Sequence, residues 1–146
     1  QPDFIRVHAT GIKLESKLGE FVRDGSFTLQ SEEEIVIEQK LFLQQLHEMD
    51  SYYVNEHIVN LLLEVRGNLR TEKQEMLSTI DRFLTLPPDE RLLFTVGRRL
   101  NIFFRLDDLK KPKLHQKAGE SLQQILSKNP HVDFAALCNY VRQSQI

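Results

Sequence analysis

Basic side chains are concentrated in one short stretch of the sequence, where they could bind an anionic partner. Residues 98–117 contain seven basic and two acidic residues, although the formal net charge of the chain is −2. The basic residues are Arg98, Arg99, Arg105, Lys110, Lys111, Lys113 and Lys117. Because guanidinium and ammonium groups pair with carboxylates, this cluster predicts a binding site for an acidic, hydrophobic peptide. Basic residues near a helix end are equally typical of a solvated surface.

The distribution of charge makes nucleic acid the disfavoured partner of this cluster. Residues 1–64 contain 12 acidic and 5 basic residues, a net charge of −7, whereas residues 65–146 contain 9 acidic and 14 basic residues, a net charge of +5. The chain is slightly acidic overall, and it lacks the alternation of aromatic and basic residues that is typical of RNA-binding strands. We therefore expect a protein or peptide partner.

Residues suited to catalysis or metal binding form no recognisable pattern. The sequence has no glycine-rich phosphate loop, no G-x-S-x-G and no H-E-x-x-H motif. His47 and Asp50 lie one helical turn apart, but ordinary polar residues at a helix end explain this spacing better than a metal site does. Cys138, the single cysteine, lies among apolar residues and is predicted to be a buried, inert thiol. We expect a noncatalytic protein without a metal, a cofactor or a disulfide.

Length and composition indicate one globular domain spanning residues 1–146. The chain has a mass of 17.1 kDa, with 40% hydrophobic and 27% charged residues. These values are ordinary for a soluble protein and exclude disordered, collagen-like and disulfide-rich classes. No apolar run approaches the roughly 20 residues that a membrane helix needs. We expect an intracellular protein, nuclear or cytoplasmic, and the start at Gln1 suggests a fragment of a longer chain.

Apolar residues spaced three and four apart predict helices along the whole chain, with no sheet. Seven helical segments are expected, at about residues 9–24, 31–49, 51–65, 71–84, 90–106, 112–129 and 133–141. The predicted caps are Ser31, Ser51, Thr71 and Asp133. The fold class is therefore all-α, a compact right-handed array of about seven helices. Seven short helices with short connections also suit an irregular armadillo or HEAT-like stack.

Two apolar stripes are expected to pack inside this array. The first segment presents an apolar side that should dock on the rest of the domain, formed by Ile12, Leu14, Leu18, Phe21 and Val22. The fifth segment is the most apolar and should form the centre of the core. Its predicted buried residues are Leu93, Val96, Leu100, Phe103 and Phe104.

Residues 76–127 resemble the second half of the N-terminal domain family of transcription elongation factor S-II. The matching residues are Leu86-Pro87, Leu93, Thr95, Val96-Gly97, Arg98, Leu100-Asn101, Ala118 and Leu122. The family's tryptophan near the end of its last helix has no counterpart, and Leu126 lies near that place. The resemblance implies a helical module in which Gly97 and Ala118 allow close helix packing.

The favoured function is that of a noncatalytic protein-interaction domain. The resemblance implies that it docks short disordered segments of transcription or RNA-processing proteins, in a groove between the fifth and sixth helices. The alternative is an armadillo or HEAT-like scaffold or oligomerisation domain of a large cytoplasmic complex. An exposed apolar surface next to the basic residues favours the first function, and a larger exposed patch elsewhere favours the second.

Overall fold

A computed structural model describes residues 2–47 and 49–145, and this part of the chain is mostly helical. The α-helices are α1 (Lys17–Arg23), α2 (Glu32–Gln45), α3 (Lys73–Leu84), α4 (Pro88–Arg99), α5 (Pro112–Lys128) and α6 (Phe134–Gln143). A 3-10 helix covers Leu106–Lys110. The strands are β1 (Phe4–Arg6), β2 (Tyr52–Val54) and β3 (Gly67–Asn68). Within the described residues, no helix has the length and apolar character required to cross a bilayer.

The predicted helical fold is confirmed in part: the described residues form six α-helices rather than seven, and β1, β2 and β3 add a small sheet in that order, which the prediction lacked. β1 pairs with β2 in parallel, with Ile5 opposite Tyr53, and β2 pairs with β3 in the antiparallel sense. The aromatic and β-branched run of β2 favours an extended backbone. Its partner β1 lies far away in the sequence, so local periodicity gives no sign of the pairing.

Residues 51–65 do not form the predicted third helix. The Ser51 hydroxyl does not cap a helix but donates to the carbonyl of Pro2. After β2 the chain continues as an irregular loop through residues 55–66, in which Val59, Leu61 and Leu62 are all buried. Asn55 holds this loop together by donating from Nδ2 to the Leu62 carbonyl at 2.7 Å. Side-chain amides of this kind offer the backbone an alternative to helical hydrogen bonds.

Two of the four predicted caps are confirmed. Ser31 and Glu34 form a complete capping box at the start of α2, and Asp133 Oδ1 accepts from two backbone amides at the start of α6. Thr71 is not a cap, since α3 begins at Lys73 without a side-chain cap. α1 is much shorter than expected and is capped by Ser16.

The core is built chiefly from α2, the loop at residues 55–66, α3, α4 and the chain that follows α4. Its fully buried large residues include Leu43, Tyr53, Leu62, Ile80, Phe83, Phe94 and Phe103. Phe94 and Phe103 stack with ring centroids 5.9 Å apart. Burial of Leu93, Val96 and Phe103 is confirmed, whereas Leu100 and Phe104 are exposed and their predicted burial is wrong.

α4 ends earlier than predicted because the chain turns back on Gly97. The amides of Ile102 and Phe103 both donate to the Gly97 carbonyl, and Asn101 adopts a positive φ of 56°. A Cβ atom on Gly97 would lie 2.3 Å from the Phe103 ring, so only glycine fits here. The close approach predicted at Gly97 is therefore made by the Phe103 side chain, while buried Ala118 lies in α5, which packs against α4.

Residues 2–12, the N-terminal segment, contain β1 and no helix, and two asparagines hold them in place. Asn60 accepts from the Ala9 amide at 2.7 Å and donates to the Val7 carbonyl at 2.8 Å. Asn139 of α6 accepts from the Ile12 amide at 2.7 Å and donates to its carbonyl at 2.9 Å. Both side chains bind backbone atoms, so they fix the path of the segment with little dependence on its side chains.

Candidate functional site

The seven predicted basic residues do not form one surface, because Arg98 and Arg99 are buried. Arg98 is 0% exposed and Arg99 is 5% exposed. Arg98 donates to the carbonyls of Leu61 at 3.0 Å, Asn60 at 2.8 Å and Ile58 at 3.1 Å. Burial, with a smaller contribution from Arg99, lowers the pKa of Arg98 to about 10, so it stays charged at neutral pH. The assignment of these two arginines to an exposed binding surface is wrong.

Arg99 belongs instead to a buried ionic group, the Glu32 cluster, formed by Glu32, Arg99 and Arg142. Arg99 donates to the Glu32 carboxylate through Nε at 3.0 Å and Nη2 at 2.7 Å. Arg142, in the last turn of α6, donates through Nη1 to the same carboxylate. The side chains of all three residues are at most 4% exposed. Glu32 therefore joins the first turn of α2 to the ends of α4 and α6.

The other five predicted residues, Arg105, Lys110, Lys111, Lys113 and Lys117, are exposed. Lys110 pairs with Asp107 at 2.8 Å and Lys111 pairs with Asp108 at 2.7 Å. Arg105 lies in a separate polar groove of about 560 Å³ that none of the lysines lines. Lys113 and Lys117, one turn apart on α5, have no ion-pair partner among the described residues. These two lysines are what remains of the predicted basic surface.

A cavity of about 400 Å³, the inner cavity, opens between the N-terminal segment and α2. Ile35, Glu38, Gln39 and Phe42 line it from one side of α2, as their spacing of three and four residues requires. The remaining lining residues are Val7, His8, Ala9, Thr10, Ile12, Leu18, Phe27, Leu29, Gln30, Val36, Tyr53, Asn55, Asn60, Leu61 and Arg142. The wall is therefore largely apolar, with a few polar groups.

Four of the polar side chains in the cavity wall already have partners. Gln39 Nε2 donates to the Tyr53 hydroxyl at 3.1 Å, and burial raises the pKa of Tyr53 to about 12, so the phenol stays neutral. Asn55 and Asn60 are occupied by backbone groups. Arg142 differs: its Nε atom is buried and has no hydrogen-bond partner among the residues that the structure describes. It is the wall residue with a buried charge and unused hydrogen-bonding capacity.

Large apolar side chains are exposed on α1, beside it in the sequence, and on α2. These residues, the apolar face, are Leu14, Leu18, Phe21, Phe27 and Phe42. Leu18, Phe27 and Phe42 also line the cavity, so the face and the cavity are continuous. α1 packs through Gly19 on the backbone of residues 13–14 and leaves its apolar stripe outside. The predicted docking of the first segment is confirmed for Ile12, which is buried, and is wrong for Leu14, Leu18 and Phe21, which are exposed.

The structure offers little for covalent or metal chemistry. The free thiol of Cys138 is buried, as predicted, and burial followed by the nearby Glu32 carboxylate raises its pKa to about 12. A thiol with so high a pKa forms almost no nucleophilic thiolate. Across residues 2–47 and 49–145, no group of three or more His, Cys, Asp or Glu side chains could hold a metal ion.

Sequence reasoning missed Glu32, Arg142 and the inner cavity. Glu32 opens a run of three glutamates in the first turn of α2, and Arg142 lies in the last turn of α6. At those positions the charge of each residue interacts favourably with the helix dipole, as is usual for solvated charged residues at helix ends. The one available signal was that apolar residues lie on more than one side of α2. Ile35 and Phe42, seven residues apart, lie on the side that lines the cavity.

No protein-family model, no curated protein and no solved structure matches this chain.

Proposed function

We propose that this chain is a noncatalytic protein-interaction domain whose partner covers the apolar face. The observation that carries the proposal is the exposure of five large apolar side chains, three of which also line the inner cavity. Exposed apolar surface that continues into a cavity marks interaction sites more often than it marks ordinary solvated surface. A partner that inserts an apolar anchor among these residues gains most of its affinity there.

The charges around the apolar face favour a partner with basic residues beside its apolar anchors. The face lies in the half of the sequence whose net charge is −7. Its exposed acidic neighbours in sequence are Glu15, Glu20, Asp24, Glu34 and Glu38, against the exposed bases Lys13, Lys17 and Arg23. Complementary charge would increase the association rate and select among apolar partners. The segment proposed for this face therefore differs from the acidic peptide predicted from the sequence.

Selection from a displayed library of random peptides tests this proposal, because it identifies the chemistry of the partner directly. We expect recovered peptides to combine apolar anchors with Lys or Arg. Phe21→Glu should weaken their binding by roughly 30-fold, the effect of losing an interface residue worth about 2 kcal/mol. Tyr140→Glu changes another exposed aromatic residue, on α6, and is the control, expected to bind as the wild type does.

Two outcomes would contradict the proposal. One is that selected peptides bind Phe21→Glu as tightly as they bind the wild-type chain. The other is a concentration-dependent dimer, seen by sedimentation, that Phe21→Glu abolishes. In that case a second copy of the chain covers the face, and the oligomerisation function considered from the sequence takes the place of partner docking.

A second candidate function, docking of an acidic segment, is supported by Lys113 and Lys117. They are exposed on the first turns of α5 and lie in the region, residues 76–127, that resembles the elongation-factor S-II family. That resemblance supplies the proposed setting in transcription or RNA processing. If the library instead yields acidic, hydrophobic peptides whose binding is lost with Lys113→Glu/Lys117→Glu and kept with Phe21→Glu, this function replaces the first.

A further inference from the structure

The buried region around the Glu32 cluster contains more positive than negative charge. Three guanidinium groups, those of Arg98, Arg99 and Arg142, are buried close to one another, and the acidic residue paired with them is Glu32. Arg98 is compensated by backbone carbonyls, but Arg99 and Arg142 share one carboxylate. The Cys138 thiol beside them is neutral. Because a buried charge is costly unless it is paired, this region has an affinity for an anion.

Arg142 brings this excess charge to the inner cavity. It is 2% exposed, it lines the cavity, and its Nε has no acceptor among the described residues. Arg98 and Arg99 are not in the cavity wall. The other titratable side chains of the wall are Glu38 and His8, both exposed, and the phenol of Tyr53, which stays neutral. An anion inside the cavity would therefore meet one buried arginine within a mainly apolar wall.

We propose that the inner cavity binds a small amphipathic carboxylate, with the carboxylate at Arg142 and the hydrocarbon part against the apolar wall. A guanidinium group recognises a carboxylate through paired, charge-assisted hydrogen bonds. The volume of about 400 Å³ lies within the usual range for small-molecule sites, and a mainly apolar wall with one oriented polar group is their usual composition. The wall residues Val7, Ile35 and Leu61 supply such a surface.

This inference goes beyond the proposed protein-interaction function and does not depend on it. Partner docking concerns Phe21 and the other exposed side chains of the apolar face, whereas the ligand site concerns Arg142 and the interior. The two proposals are tested with different probes and different variants, so either can fail alone.

Calorimetric titration of the purified chain with decanoate, decanol and decyltrimethylammonium tests the inference. These probes share one hydrocarbon chain and differ in the charge of the head group. We expect decanoate to bind about tenfold more tightly than decanol, as a charge-assisted hydrogen bond provides, and the cation to show no binding. In Arg142→Gln, decanoate and decanol should bind equally. Glu32 keeps both hydrogen bonds from Arg99 in this variant.

A cavity-filling variant keeps the test decisive if Arg142→Gln does not fold. Ala9→Leu adds side-chain volume inside the cavity and should weaken the binding of both decanoate and decanol. Ala136→Leu makes the same change on the exposed side of α6 and should leave the binding of both unchanged. Equal affinity of the wild type for decanoate and decanol, or no binding of either, would overturn the inference. So would decanoate binding that Ala9→Leu leaves unchanged, since the site would then lie elsewhere.

Discussion

Replacement of Arg98 by methionine is the sharpest test of how this domain is held together. Arg98 is fully buried, and its guanidinium donates to the carbonyls of Ile58, Asn60 and Leu61. Methionine has a similar length and fills much of the same space, but it cannot donate a hydrogen bond. Arg98→Met therefore removes the donors while limiting the cavity that is left behind.

The expected loss follows from the carbonyls that lose their donor. Leaving one buried polar group without a partner costs about 1–3 kcal/mol. Because three carbonyls lose their donor, the free energy of unfolding should fall by at least about 3 kcal/mol. Such a loss is a large part of the roughly 5–15 kcal/mol that stabilises a typical domain. An exposed arginine, in contrast, would change stability by about 0.5 kcal/mol or less.

Urea unfolding followed by circular dichroism measures this difference. Lys113→Met is the matched control, because it also replaces a long basic side chain in the same region but at an exposed position. We expect Arg98→Met to shift the unfolding midpoint strongly and Lys113→Met to leave it near that of the wild type. A loss below about 1 kcal/mol for Arg98→Met would show that these hydrogen bonds do not stabilise the fold, and the reasoning would be refuted.

Two further predictions follow from the described contacts. Leu93→Ala should cost about 2–5 kcal/mol in urea unfolding, whereas Leu100→Ala on the exposed side of the α4 end should cost less than about 1 kcal/mol; equal losses would contradict the assigned burial. Hydrogen bonds from the backbone and hydroxyl of Ser31 lower the pKa of Glu34 below its ordinary value of 4.5. The resulting stabilisation is present above that pH and is lost as the pH falls through the lower folded value. Glu34→Gln should therefore flatten the acid limb of a stability–pH curve, and an unchanged limb would count against the capping box.

The helices that could be predicted from the sequence are those whose signals are local. α2 begins at the Ser31 capping box, α5 begins at Pro112, and α6 begins after Asp133, all as predicted. Each of these signals acts through residues within one helical turn, so no knowledge of the rest of the fold is needed. The same holds for the burial of Leu93 and Val96, which follows from their spacing along α4.

Features that depend on distant residues could not be predicted in this way. The pairing of β1 with β2 joins Phe4 to Tyr52, and Asn139 holds Ile12 across most of the length of the chain. Neither contact leaves a periodic pattern in the sequence. The inner cavity is of the same kind, because the N-terminal segment, α2 and Arg142 meet only in the folded chain.

The two main errors of the sequence-based interpretation, a helix at residues 51–65 and an exposed Arg98 and Arg99, have one physical cause. Most carbonyl groups of a helix accept hydrogen bonds from the helix's own amides. Arginines packed against a helix would therefore find few free acceptors, so their burial would not be expected. An irregular buried loop leaves its carbonyls without donors, and those donors must come from side chains.

In this domain five consecutive carbonyls, at residues 58–62, each accept from a buried side chain. Arg98 serves Ile58, Asn60 and Leu61, as described above, while Arg99 Nη2 donates to Val59 at 2.9 Å and Asn55 donates to Leu62. The two arginines at the end of α4, which the sequence suggested as part of a basic surface, thus supply hydrogen-bond donors to the carbonyls of the loop. Once residues 51–65 are recognised as a strand followed by a loop, the burial of both arginines becomes the expected result, and Glu32 is needed to balance the charge that they bring inside.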